Sequence, residues 1–68
     1  MIHERPNELV GFDGHGVFVG KAWKPMGMRW QVWISNLCEH YYCDEEIESR
    51  GILKAFGASD IKATTFPV

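Results

Sequence analysis

Two runs of apolar, β-branched and aromatic residues flank a proline–glycine segment in the first half of the chain. The runs are Val17–Trp23 and Arg29–Ser35, and Lys24–Gly27 lies between them with Pro25 and Gly27. Proline presets φ in a tight turn, and glycine closes such a turn without steric cost. Strand-forming runs on both sides of a turn predict a β-hairpin.

The second strand of this hairpin presents different residues on its two sides. Successive side chains of a strand point to opposite faces, so Trp30, Val32 and Ile34 share one face and Trp33 lies on the other. We expect the face with Trp30 to be the core. One short helix cannot cover both faces of a twisted sheet, so we expect at least one tryptophan to stay partly exposed.

A short strand is predicted on each side of this central part of the chain. Leu9–Phe12 would end at Asp13-Gly14, since this dipeptide supplies the positive φ angles of a tight hairpin turn. Residues 1–8 are polar, contain a proline and are expected to be flexible. Asp60–Phe66 alternates apolar with polar residues and predicts the last strand. Two positions are open for it, either parallel to the third strand after a right-handed crossover or beside the first strand.

From residue 44 onward the pattern is helical. Asp44 is a favourable N-cap residue, and Glu45 and Glu46 suit the positive end of the helix dipole. Glu46 and Arg50 stand four residues apart, which favours an ion pair on the helix surface. Gly57 occupies the position of a left-handed C-cap.

The apolar side chains of this helix predict which side faces the sheet. We expect two adjacent ridges to pack inward, formed by Ile47, Gly51, Ala55, Ile52 and Phe56. Leu53 lies outside this stripe, and Glu48 lies within it. Gly51 costs about 1 kcal/mol relative to alanine inside a helix. We therefore expect it either to permit a close approach to the sheet or to mark a bend.

Residues 36–43 fit two different structures. Asn36 followed by Glu39 has the spacing of a capping box, which would open a helix with Leu37 and Tyr41 on one face. The run Glu39–Cys43 contains two tyrosines, which favour a strand. The sequence leaves both interpretations open.

The predicted elements follow the order β-β-β-α-β in a single domain of residues 1–68. This order predicts a small two-layer α+β fold, in which one helix packs on one face of a mainly antiparallel sheet of three or four strands. A chain of 68 residues is near the lower limit for a self-sufficient hydrophobic core. Self-association as a homodimer is one expected source of additional stability.

Charged residues are distributed unevenly, although the formal net charge is only −2. The predicted hairpin contains cations and no carboxylate, with Lys21, Lys24 and Arg29. An acidic block follows it, made of Glu39, Asp44, Glu45, Glu46 and Glu48. We expect one positive and one negative end. A nucleic-acid-binding domain is usually basic overall, so the net charge argues against that class.

The segment Cys38-Glu-His40-Tyr-Tyr-Cys43 places two thiols and an imidazole close together in sequence. Zinc sites need a fourth ligand and usually contain regular Cys-x-x-Cys pairs, and only the distant His3 or His15 would complete this set. We therefore expect no metal and no cofactor. A cysteine nucleophile would also lack an orienting third group, and no phosphate-binding glycine loop occurs. We expect no enzymatic activity.

No stretch of the sequence has the length and hydrophobicity of a membrane span. Such a span needs about 20 apolar residues, and residues 1–8 lack the apolar region of a signal peptide. We expect a cytoplasmic protein in which both cysteines are reduced.

The aromatic and basic residues of the hairpin indicate a binding function. Tryptophan and arginine are enriched in the hot spots of protein interfaces. We predict a small adaptor or inhibitor, of the accessory kind found in bacteria and phages, that binds a protein partner through Trp23, Trp33, Lys21, Lys24 and Arg29. The acidic block would form a second surface. The alternative is single-stranded nucleic acid, with its bases stacked on the same aromatic residues.

Overall fold

The computed structural model describes residues 6–65. Within this range the chain forms five strands and one helix, namely β1 (Glu8–Phe12), β2 (Phe18–Trp23), β3 (Trp30–Ile34), β4 (Glu39–Cys43), α1 (Glu46–Ala55) and β5 (Asp60–Thr64). Neighbouring strands are antiparallel, and their order across the sheet is β4-β3-β2-β1-β5. Because α1 packs on one face of this sheet, the predicted α+β fold and its order of elements are confirmed.

The strand interpretation of residues 39–43 is the correct one, and it raises the number of strands in the sheet to five. β4 pairs with β3 without any shift in register. The turn before it contains a hydrogen bond from the Cys38 amide to the Ser35 carbonyl at 3.4 Å, and Cys38 has a φ of 50°. Asn36 therefore lies in a tight turn and opens no helix.

The hydrophobic core lies between α1 and the face of the sheet that we call the core face. Trp30, Val32 and Ile34 are 4%, 0% and 1% exposed, so the predicted inward face of β3 is confirmed. Leu53 of α1 packs against these residues and is fully buried. The same core cluster also contains Leu9, Ala22, Cys43 and Ala58.

The helix is rotated relative to the prediction from its apolar ridges. Ile47 is 72% exposed, whereas Leu53 and Ser49 are fully buried. The prediction was right for Ile52, which packs against the core, and wrong for Ile47. The inward stripe instead includes Ser49, whose hydroxyl lies 3.0 Å from the Cys43 thiol. Gly51 has open space where a Cβ would be. It therefore does not permit a close approach to the sheet.

The two ends of α1 differ in how their backbone groups are satisfied. Glu45 rather than Asp44 is the N-cap, and its side chain makes no capping hydrogen bond. At the other end, Gly57 has a φ of 110°, and the amides of Gly57 and Ala58 each donate to carbonyls of the last turn at 3.0 Å. This is the Schellman arrangement, which confirms the predicted C-cap. Over the described residues, no helix reaches the length and hydrophobicity needed to cross a membrane.

The turn between β1 and β2 is fixed differently from the prediction. The positive φ, 79°, occurs at Gly16 and not at Asp13 or Gly14. The Gly16 amide donates to the Asp13 carbonyl at 3.0 Å. The Asp13 carboxylate accepts hydrogen bonds from the amides of His15 at 2.8 Å and Val17 at 2.9 Å. Asp13 therefore holds the turn through its side chain.

The turn between β2 and β3 lies one residue later than the predicted turn Lys24–Gly27, so Pro25 occupies its first position and does not preset φ inside it. The Met28 amide donates to the Pro25 carbonyl at 3.1 Å. Gly27 has a φ of 73°, a conformation that glycine adopts without a steric penalty.

β5 lies at the edge of the sheet beside β1, which decides between the two positions that the sequence left open. The Asn7 amide donates to the Thr64 carbonyl at 3.1 Å, and Glu8 already belongs to β1. These two residues are therefore held in the sheet, contrary to the expected flexibility of residues 1–8. The rest of that expectation and the predicted end of the last strand concern residues 1–5 and Phe66, which lie outside the described residues.

Candidate functional site

The side of the sheet opposite α1 is covered by no element of the described chain, and we call it the open face. Strand alternation and interstrand register place Trp33 on it, between Lys21 of β2 and His40 of β4. The open face consists of Glu8, Val10, Phe12, Phe18, Lys21, Trp23, Gln31, Trp33, His40, Tyr42, Asp60, Lys62 and Thr64. Three of the five predicted binding residues lie on it, namely Lys21, Trp23 and Trp33.

A β-bulge brings Phe18 to the open face. The register between β1 and β2 shifts at Phe12, which pairs with Phe18 and leaves Val19 as the extra residue. Val19 packs toward the core, so Phe18 points the other way. Its ring centroid lies 6.3 Å from that of Phe12 and 6.1 Å from that of Trp33. The bulge thus completes an aromatic cluster around Trp33.

A second aromatic cluster forms on β2 and β4. The His40 ring lies 5.4 Å from Trp23 and stacks on Tyr42 at 4.9 Å, with 7° between the two planes. A hydrogen bond of 3.0 Å joins His40 Nε2 and Gln31 Oε1. Both clusters have the spacing of favourable aromatic pairs, so the rings hold one another in a fixed arrangement.

The tryptophans differ in exposure as the hairpin pattern predicts. Trp30 is buried, while Trp23 and Trp33 are half-buried. The expectation that at least one tryptophan stays partly exposed is therefore confirmed. On the same surface, Tyr42 is 57% exposed and Phe18 is 37% exposed. These four rings are accessible to a partner.

Two lysines lie over rings of the open face. Lys21 Nζ is 5.4 Å from the centroid of the Trp23 ring, and Lys62 Nζ is 5.5 Å from the centroid of Phe12. A cation over an aromatic ring at an exposed site contributes about 0.5–1 kcal/mol. Because both ammonium groups remain at the surface, they also supply positive charge to any molecule that binds there.

Arg29 immediately precedes β3 and forms an ion pair with Asp44. Arg29 Nε is 2.7 Å from Asp44 Oδ1, and the two side chains are 59% and 72% exposed. Lys24 lines a shallow groove beside this pair. The predicted separation of positive from negative residues is therefore wrong for Arg29. Antiparallel pairing places the start of β3 next to the end of β4, and this brings Arg29 to Asp44.

Four residues of the predicted acidic surface lie together between the end of β4 and the first turn of α1, and Glu39 lies apart from them. Glu39 begins β4, and Asp44 follows the end of the same strand. Glu46 pairs with Arg50 at 2.8 Å, which confirms the predicted ion pair on the helix. The other two acidic residues are exposed at the start of α1, at Glu45 and Glu48.

Charges on the open face are balanced among the described residues. The lysines at positions 21 and 62 contribute two positive charges, and Glu8 and Asp60 contribute two negative charges. This balance distinguishes the open face from a basic stripe. It therefore favours a partner with mixed charge over a polyanion.

Several residues of the open face were missed from the sequence. His40 and Tyr42 alternate with the inward residues of β4, so they could have been found if Glu39–Cys43 had been assigned as a strand. Phe12 and Lys62 come together only because β5 pairs with β1. No local pattern in the sequence indicates that long-range pairing.

The cysteines and His40 do not form a joint site. Both cysteines are free thiols, but Cys43 is buried in the core, and Cys38 is exposed in the turn before β4. His40 points to the open face. Within residues 6–65, no group of three histidine, cysteine or acidic side chains is arranged to hold a metal ion.

Tyr41 donates a hydrogen bond from its hydroxyl to Glu39 Oε2. This hydrogen bond, then burial, then the negative charge of Glu39 raise the pKa of the Tyr41 phenol above 10.0. We expect Glu39→Ala to lower the pKa of Tyr41, because the substitution removes both the acceptor and the charge. Ultraviolet absorbance of tyrosinate during an alkaline titration measures the change, and Tyr41→Phe identifies the transition that belongs to Tyr41. An unchanged titration in Glu39→Ala would show that the contact is not formed in solution.

No protein-family model matches this chain, and no curated protein or solved structure matches it either. The assignment of a function to the open face therefore rests on the geometry and chemistry of its own residues. Those residues are aromatic rings with balanced lysines and carboxylates on an uncovered sheet.

Proposed function

We propose that this protein is a small non-enzymatic interaction module that binds a protein partner through the open face. The observation that carries this proposal is the pair of contiguous aromatic clusters around Trp33 and Trp23 on the side of the sheet that α1 leaves uncovered. Partly exposed aromatic side chains gathered on one uncovered face are typical of a docking site. Tryptophan and tyrosine also dominate the hot spots of protein interfaces.

The expected partner is a protein surface with apolar or aromatic side chains and at least one carboxylate. Trp33 is the central anchor. Lys21 of β2 and His40 of β4 lie opposite it on the two neighbouring strands. The Phe18 ring packs against its indole ring. The carboxylate would face Lys21 and set the orientation of the partner. Arg29 is neutralised by Asp44 and is therefore expected to contribute less than Lys21.

A protein partner is favoured over single-stranded nucleic acid by the charge of the open face. Nucleic-acid affinity depends on neutralising phosphates, and a steep salt dependence requires roughly six to ten contacts. The open face offers Lys21 and Lys62, and Glu8 and Asp60 offset them. Aromatic stacking without a net positive groove is better suited to a protein surface.

The cytosol is the compartment that we propose for this interaction. Cys38 and Cys43 are both free, and Cys43 is buried beside Ser49 where no second cysteine is available. Free thiols are typical of a reducing compartment.

A photoreactive phenylalanine analogue at Phe18 tests the proposed surface in cells that express the protein. We expect cross-linking to a distinct partner protein from position 18, since this side chain lies on the open face beside Trp33. The same analogue at Ile47, which is 72% exposed on the helix side, is the matched control and should give no such product. Equal cross-linking from both positions would contradict docking through the open face.

The contribution of Trp33 is measured with the partner identified by cross-linking. Removing a hot-spot tryptophan costs about 2 kcal/mol or more of binding free energy, so Trp33→Ala should weaken binding by at least about 30-fold. Circular dichroism checks that the variant is folded, and Lys21→Glu provides a second open-face change at an exposed position. Unchanged affinity in both folded variants would overturn the proposal. Tight, salt-sensitive binding of oligodeoxythymidine would instead favour the nucleic-acid alternative.

A further inference from the structure

Among the described residues, β4 forms one edge of the sheet. The strand order places β3 on one side of it and no strand on the other. Within residues 6–65, no backbone hydrogen bond joins Glu39–Cys43 to a loop on that outer side. An edge of this kind can pair with another extended chain through its backbone amides and carbonyls.

The edge at β4 has few of the features that usually prevent strand pairing, and Glu39 is its one carboxylate. The strand contains no proline, lysine or arginine, and its register with β3 has no bulge. The opposite edge of the sheet differs, because Lys62 lies at the middle of β5. Lysine at that position is a common protection against edge-to-edge association. β4 is therefore the better candidate for pairing.

The sequence of β4 is complementary to itself when two copies run antiparallel. If Tyr41 of one copy lies opposite Tyr41 of the other, His40 lies opposite Tyr42 of the other copy. Glu39 then lies opposite Cys43, so no like charges face each other. Within one chain His40 and Tyr42 already stack at 4.9 Å. The same two ring types would therefore continue this aromatic group across the two-fold axis.

We infer that β4 pairs with β4 of a second copy of this chain, which joins two sheets into one of ten strands. Cross-strand aromatic pairs of this type stabilise an antiparallel ladder. Because a five-residue strand buries less surface than a standard interface, we expect a dissociation constant between about 1 and 100 micromolar. The inference depends on the sheet edge, and its test measures self-association alone, although His40 and Tyr42 also lie on the open face.

Charge substitutions at two exposed positions test both the pairing and its register. In His40→Lys with Tyr42→Lys, each new lysine faces a lysine of the other copy, so the dissociation constant should rise at least about tenfold. The same result is expected for His40→Glu with Tyr42→Glu. A mixture of the two doubly substituted proteins should form heterodimers, since opposite charges then face each other across the axis. Analytical ultracentrifugation over a concentration series measures each equilibrium.

A third variant carries one new lysine and one new glutamate in the same chain. His40→Lys with Tyr42→Glu places every lysine opposite a glutamate of the second copy, so this protein should dimerise at least as well as the parent. Ile47→Lys on the helix is the control and should leave the dimer unchanged. A parent protein that stays monomeric at hundreds of micromolar, or lysine and glutamate variants that dimerise like the parent, would overturn the inference.

Discussion

Leu53→Ala is expected to lower the free energy of unfolding by about 2–5 kcal/mol, because it removes the fully buried side chain of α1 at the centre of the core. A chain of 68 residues has a total stability of roughly 3–10 kcal/mol. The loss is therefore a large part of the total, and the midpoint of urea unfolding should fall steeply. Urea denaturation followed by circular dichroism measures the difference.

Ile47→Ala on the same helix is the matched control for this prediction. Ile47 is 72% exposed, so its truncation should change the stability by less than about 0.5 kcal/mol. The apolar ridges of the sequence predict the opposite result, with Ile47 inside and Leu53 outside. A larger loss for Ile47→Ala than for Leu53→Ala would restore that orientation of the helix and contradict the structure.

Gly20→Ala is expected to destabilise the protein by about 1–3 kcal/mol or more through overpacking. A Cβ at this position would clash with the backbone carbonyl oxygen of Trp33 and would lie 3.2 Å from Ile34 Cδ1. Because a backbone atom cannot move aside as a side chain can, β2 and β3 would have to separate. Thermal denaturation should show a lower midpoint, and fluorescence of Trp33 should report a changed environment.

Gly51→Ala provides the same chemical change with the opposite expected sign. Gly51 is exposed within α1, and no atom lies within 4 Å of the position of its Cβ. Alanine should therefore stabilise the helix by about 0.5–1 kcal/mol. If both glycine substitutions shift the thermal midpoint in the same direction, the close contact between Gly20 and β3 is not present in solution.

The hairpin was predictable because its strands and turn carry strong local signals. Branched and aromatic residues alternate in β3, and Pro25 and Gly27 mark the turn before it. The same alternation placed Trp30 in the core and Trp33 on the other face. The local sequence pattern was therefore sufficient to predict the strands of the hairpin and the side of the sheet that α1 leaves open.

The orientation of α1 was not predictable from the apolar residues alone. The inward stripe contains Ser49, whose burial is compensated by its contact with the thiol of Cys43. That cysteine belongs to β4, the segment that the sequence left unassigned. The buried side of the helix thus includes a polar residue that hydrophobic spacing cannot predict, because its partner lies on the neighbouring strand.

The sequence predicted only part of the candidate site, because some of its contacts form between strands that are distant in the chain. Trp23, Trp33 and Lys21 come together because one hairpin carries all three. Lys62 reaches the same surface only through pairing between the first and last strands. Arg29 was expected to act as a free cation, but the end of β4 supplies Asp44 as its partner. Such contacts depend on strand order, which single-sequence patterns do not specify.

The pairing of β5 with β1 determines when the sheet can be completed during translation. β1 leaves the exit tunnel before every other strand, yet the partner for its outer edge is the last strand to be synthesised. During translation that edge has unpaired amides and carbonyls, which are open to chaperones or to neighbouring nascent chains. Native structure can therefore be completed only after β5 has emerged, so this sheet is expected to form late rather than strand by strand.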